Sequence, residues 1–349
     1  MATLKDISRH LNLSVTTISR ALNGFPEVNE ETRLLVEKTA AAMNYRPNQF
    51  AQKLVTGRSG MVCMIIQASP DLSANIHFME VVTGLSQYFS AHGMHFILHV
   101  STEFDVLAPY RSMTAGNLMD GYILTHPTPN DPRVEFLRGK NVPFVMHGRL
   151  DEDNDYPYYD IENYGVSRQA TEYLLSIGHQ RITLLNGPAE LSFAKQRKAG
   201  FLDAMSASDM SDADIIDDMS GVQVHHGQMT AEFGHRTAKA ILSRSGAVRP
   251  SAIICSNILI AEGVYEAAKE MGLKIPEDLS VIAHDDDIPL HRANEMKPPL
   301  SVTHSALRDA LEPLANILMR RIKGEESVKS LQEVAPTKLI IRESTRLLF

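Results

Sequence analysis

The chain has 349 residues, 44% of them hydrophobic and 22% charged, with a formal net charge of −8 at pH 7. It is too long for one ordinary core and too apolar for a disordered chain, so two or three packed units are expected. Lys5, Asp6, Arg9 and His10 interrupt the first apolar residues, and no run approaches about 18 apolar positions; both argue against a signal peptide or membrane span and for a cytoplasmic location.

Cys63 and Cys255 each lie inside an apolar run and read as buried free thiols rather than a disulfide or a metal pair. The charge is unevenly spread. Residues 1–58 carry eight Lys/Arg against five acids, a balance of +3 that leaves −11 for the remainder. A basic head on an acidic body is the footprint of a small DNA-binding module joined to a larger domain that avoids the phosphate backbone.

In chain order, Thr3 and Asp6 read as a capping pair for a helix carrying Leu4, Ile7 and Leu11, which Asn12 ends. Ser14 caps a second short helix whose inner face is Ile18, Ala21 and Leu22, stopped by Asn23-Gly24. Asn29 caps a third, from Glu30 to about Met43, with Leu35, Val36, Ala40 and Met43 inward. Three short helices in residues 1–46 match a helix-turn-helix, although a generic three-helix unit would show the same stripes. The outward residues sharpen the reading. Val15, Thr16 and Arg20 stand where a recognition helix meets base edges: an Arg can grip guanine and a Val can touch a thymine methyl. Ser14, Thr17, Ser19, Asn23, Asn29 and Thr32, with Thr3 and Tyr45, suit phosphate contacts that fix register.

The string TLKDISRHLNLSVTTISRALNGFPEVNEETRLLVEKTAAAMNYRPN resembles the head of the LacI/GalR family of transcription regulators, with its TLxDVAxxAGVSxxTVSRVLN, V-S-xx-T-R and NYxPN motifs. Ile7 and Ser8 stand for the family's Val and Ala, and Leu11-Asn12-Leu13 for Ala-Gly-Val. The resemblance implies a lambda-repressor-like head. It also implies that the hinge, residues 47–60, forms paired minor-groove helices through Asn48, Ala51 and Leu54, with Leu54 levering into a base step. By itself the segment makes only one or two turns, too few to be stable alone, and so should order on DNA.

From Met61 short apolar runs (MVCMII, HFILHV, GYILT, PFVM) alternate with amphipathic stretches, and RITLLNG, SAIICSN and LSVIAHD repeat the pattern. Two βαβα blocks imply two Rossmann-like lobes with a ligand cleft at the strand C-termini. The expected division is 61–160 plus 291–323 for the first lobe and 161–290 plus 324–349 for the second. Strand-end candidates are Thr125, His126 and Pro127, His147 to Arg149, Asn257, and Asp285 to Asp287. Together with Arg197 they are suited to sugar hydroxyls, which a carboxylate accepts from and a guanidinium or amide donates to.

The resemblance extends through this region in DIEN (160–163), AKQRKAGF, the segment from Pro250 to Asp287, and KPPLSVTHS. It implies a periplasmic-binding-protein-like core in which Arg197, Asn257 and Asp285 contact an effector, with Phe78, Thr125 and Ser305 lining it. Ile258 replaces the family's Asp and Ala283 its Gly, so that side should recognise a different ligand. With no Trp in the chain, stacking on a sugar face falls to Phe78 or Phe193. His147-Gly148-Arg149 is faintly similar to regulators of α-glucoside and α-galactoside uptake.

The three acids 285–287 could suggest a cation or a glycosidase pair, but consecutive acids diverge and no nucleophile motif, Walker loop or zinc spacing accompanies them. Neither enzyme activity nor a cofactor or metal is expected, and a secreted sugar-binding protein would not carry the head. The reading is a homodimeric repressor on palindromic double-stranded DNA, released by a carbohydrate effector without membrane contact. The alternative is an activator or a corepressor-dependent regulator sensing a purine or other metabolite.

Overall fold

The computed structural model describes residues 2–45, 58–68, 76–150, 154–207, 223–244, 249–285, 287–324 and 327–348. Three helices build the head: α1 (Leu4–Leu11), α2 (Val15–Leu22) and α3 (Glu30–Ala42). Each starts where a short polar side chain satisfies an amide that the first turn leaves open. Thr3 and Asp6 form a reciprocal capping box, Ser14 Oγ accepts from Thr17 N at 3.0 Å, and Asn29 Oδ1 accepts from Thr32 N at 2.8 Å. Asn12 in the left-handed region closes α1. Ile7, Ile18, Ala21, Val28, Val36 and Ala40 form the buried core of this unit. Leu35, expected inward, is 50% exposed beside Leu34 at 60%. Val36 and Ala40 take the inward positions, and the helical period carries the preceding residue outward.

The body holds two sheets. The first comprises β1 (Met61–Gln67), β2 (His95–Ser101), β3 (Gly121–Thr125), β4 (Phe144–His147), β5 (Tyr158–Ile161) and β11 (Gln332–Ala335), in the order β11-β5-β4-β3-β1-β2. The second comprises β6 (Ile182–Asn186), β7 (Gln223–His226), β8 (Ala252–Cys255), β9 (Ser280–Asp285), β10 (Ser301–His304) and β12 (Lys338–Ile340), in the order β12-β10-β9-β8-β6-β7. All pairings are parallel except β10 with β12. The apolar runs seen in the sequence become central strands buried on both faces, as parallel sheets require.

Helices α4 (Ile76–Ala91), α5 (Ala108–Thr114) and α6 (Pro132–Gly139) follow strands of the first sheet; α7 (Asn163–Ser176), α8 (Ser192–Ser206), α9 (Ala231–Leu242) and α10 (Ile258–Glu270) belong to the second block. α11 (Leu307–Lys323) returns to the first sheet, where Leu311, Leu314 and Leu318 join Val62 and Ile123 in one core.

The lobe division differs from expectation. β10 pairs with β9 and Leu300 lies in the second lobe's core, so residues 300–304 belong there, not with 291–323 in the first. β11 pairs with β5, which returns 332–335 to the first lobe. The chain therefore crosses between lobes three times, at 161–163, 304–307 and 335–338, because each sheet completes its edge with a strand from the C-terminal stretch.

α9 and α10 meet backbone to backbone: a Cβ on Gly263 would stand 2.0 Å from Ala231 O, and one on Gly234 2.1 Å from Ile260 O. Cys63 and Cys255 are buried free thiols on different sheets, and burial pushes the Cys63 thiol up to about 12. No helix of the described residues is long and apolar enough to cross a membrane.

Candidate DNA-reading head and effector cleft

On α2, Val15, Thr16 and Arg20 are all exposed, Thr16 and Arg20 one turn apart and Val15 beside them at the helix start, while Ile18 and Ala21 are buried in the core. A shallow concavity of about 370 Å³ runs between α2 and α3, lined in part by Ser14, Thr16, Thr17, Arg20, Asn29 and Thr32. It thus gathers two of the three expected base-reading residues and four of the backbone-contact set. Asn23 Nδ2 is tied to Ser19 O at 2.8 Å, and Tyr45 packs on the head's core, so these two have structural work besides any contact with phosphate. Arg33, which sequence reasoning passed over, donates to Phe25 O at 3.2 Å and pins the α2–α3 connection. Asn48, Ala51 and Leu54 lie outside the described residues.

In the body, Arg197, Phe193 and Arg149 lie beside the 161–163 crossing, and Ser305 with Asp285 beside the 304–307 crossing. Arg197, in the second turn of α8, is 5% exposed; its Nε donates to Asn163 Oδ1 at 3.0 Å and its Nη1 to Ser256 O at 2.6 Å. Phe193, one turn earlier, lies with its ring centroid 5.1 Å from the Arg197 guanidinium carbon, so an aromatic face and a cation share one wall. Arg149, just past β4 in the first lobe, reaches Asp160 Oδ2 at 3.5 Å and Glu162 Oε2 at 3.4 Å. The Ser192 hydroxyl donates to the Arg149 carbonyl, tying the N-terminus of α8 to the first lobe.

Asp160 accepts from Ile161 N at 2.9 Å and Asn163 Nδ2 at 3.1 Å. Burial pushes its carboxyl up to about 6, against the lowering pull of the Ile161 amide and of Arg149. Asp160, Glu162, Asn163 and Ser192 were not chosen as site residues. The first three lie in the DIEN segment, and the signal available was their position at a strand end entering a helix.

Thr125 closes β3, and its hydroxyl sits 3.1 Å from His126 Nδ1; Arg133, bound to Asp131, donates to the carbonyls of both residues. His147 closes β4 and Phe78 lies half-buried in the first turn of α4. Asp285 ends β9, 5% exposed, its Oδ1 accepting from Asp287 N at 2.9 Å, while Ser305 N donates to the Asp285 carbonyl at 3.1 Å. Asn257 departs from its expected role. It is fully buried as the N-cap of α10, its Oδ1 accepting from Ile260 N at 2.9 Å and its Nδ2 donating to Met229 O at 3.2 Å. In this arrangement it presents no surface to an effector.

Residues 3–48 match the family model for bacterial regulatory proteins of the lacI family, and 171–345 that for a periplasmic binding protein-like domain. The HTH-type transcriptional regulator AglR of Rhizobium meliloti (strain 1021) is 36% identical over 343 residues, spanning 98% of this chain and 94% of its own. The chain belongs to the LacI family. It is a DNA-binding transcriptional regulator, not an enzyme. Among solved structures, a transcriptional regulator CelR–cellobiose complex is 26% identical with a TM-score of 0.69, covering 99% of this chain and 100% of its own. The lac repressor dimer bound to operator and the anti-inducer ONPF superposes with a TM-score of 0.77 over 99% of each chain. At 21% identity, that second likeness is one of fold.

Proposed function

We propose that this LacI-family chain is a homodimeric repressor of a palindromic operator, and that a sugar or oligosaccharide bound between the lobes lowers its affinity for DNA. One observation carries the effector half. At the lobe crossings a buried guanidinium, Arg197, lies against the Phe193 ring and is held by Asn163 and Ser256 O. A sugar presents an apolar face and a rim of hydroxyls, and such a wall can stack the first and donate to the second. Asp285, Thr125, His147 and Ser305 supply further acceptors and donors at the strand ends, and Arg149 answers from the first lobe. The cellobiose carried by the structural neighbour supports the sugar class, and an α-glucoside is the first candidate. Dimerisation supplies the two half-sites that a single short recognition helix cannot.

The test is fluorescence anisotropy with labelled operator DNA, run beside thermal melting, against a panel of α-glucosides, α-galactosides, β-glucosides and nucleobases. A compound that raises the melting temperature of the full chain and releases DNA establishes the reading. A nucleobase acting alone would replace the sugar, and a compound that tightens DNA binding would reverse the sign of control.

A further inference from the structure

From the sequence, the strand-end acids were expected to diverge. Asp285 and Asp287 are two apart, however, and the turn after β9 brings them onto one side, with Asp287 N donating to Asp285 Oδ1. A third group comes from another strand. Parallel pairing of β9 with β10 sets His304 directly beside Asp285, so both side chains emerge on the same face. One ligating atom from each of Asp285, Asp287 and His304 lies within 4.8 Å of the other two.

This differs from an ordinary solvated acidic patch in two respects. Asp285 is 5% exposed, so one of the two carboxylates is anchored inside the lobe while Asp287 opens the group to solvent. The third donor is an imidazole, which adds no negative charge and is a common metal ligand. Arg308, whose guanidinium feels Asp287, is already engaged by Glu80 on α4.

We propose that Asp285, Asp287 and His304 form a divalent-cation site at the end of β9. Two carboxylates and one imidazole suit a borderline cation such as Mn²⁺ or Zn²⁺. Three protein donors leave coordination positions open on an octahedral ion, and adjacent hydroxyls of an effector can fill them. That last step rests on the cleft reading above; the cation site itself does not.

The experiment uses the full chain stripped with EDTA and dialysed, then titrated with MnCl₂ by calorimetry and followed by the Mn²⁺ electron paramagnetic resonance signal. One Mn²⁺ per chain is expected. His304→Gln and Asp287→Asn should each weaken it at least about tenfold while leaving the far-ultraviolet melting curve in place. No uptake, or uptake that neither variant weakens, overturns the site. No Mn²⁺ uptake by the stripped chain, together with a sugar-induced melting shift, would sink the cation site and leave the effector reading intact. Mn²⁺ binding weakened by both variants, with no shift from any sugar, would do the reverse.

Discussion

Arg20 stands clear of the head's core, so its removal should leave the fold unchanged and cost only what it does on DNA. Arg20→Ala is expected to weaken operator binding by about 1–3 kcal/mol, read by anisotropy, with the melting temperature unmoved. Asp160 is the opposite kind of residue, buried and linked to both lobes. Its carboxyl titrates near 6, above an unfolded value near about 4, so between those limits the folded state binds the extra proton. The stability this group contributes is therefore present at low pH and lost as pH rises through 6, by roughly 3 kcal/mol at most. Melting temperatures of the native chain and of Asp160→Asn should diverge as pH climbs from 4.5 to 7.5, the native chain losing ground. Parallel curves would show that Asp160 is not the titrating group. Asn257 marks a limit of reading residues by analogy: an Asn at a strand end is also the natural cap for the following helix, and burial decided for the cap.

At the scale of elements, the head's helices depend on their caps. Asn29→Ala removes the acceptor for Thr32 N and should lower head stability by about 1 kcal/mol, visible as earlier loss of helical signal and weaker DNA binding. The α9–α10 contact depends on absent side chains. Gly263→Ala sets a methyl against the Ala231 carbonyl, a backbone atom with no rotamer to yield, and should destabilise the second lobe by about 1–3 kcal/mol in denaturant titration. Central strands such as GYILT and AIIC were legible because continuous apolar runs mark strands covered on both faces. β7, β11 and β12 were not: QVHH, QEVA and KLI are short edge strands with mixed polarity, and only pairing with a neighbour defines them.

For the whole molecule, two of the three crossings place Asp160, Glu162, Asn163 and Ser305 at the junction of the lobes, so a ligand seated there meets both bodies. If effector lowers operator affinity tenfold, operator must lower effector affinity tenfold, because coupling free energy is shared. Calorimetric titration of effector into free and operator-bound protein should return the same factor. A different factor would mean that a step outside this two-site linkage, such as dissociation of the dimer, takes part.

The sequence by itself determined the helix-turn-helix head with its caps, the outward Val15, Thr16 and Arg20, the two parallel α/β lobes, and Arg197 and Asp285 as strand-end and helix polar groups. These follow from local rules: cap chemistry, helical period and apolar runs act over a few residues. Only the tertiary structure decided the exchange of strands between lobes, the tie from Asn257 to Met229, the Arg149–Asp160–Asn163–Arg197 network, and the meeting of His304 with Asp285 and Asp287. Each of these joins residues distant in the chain, and sheet order and register, which no local pattern encodes, bring them together.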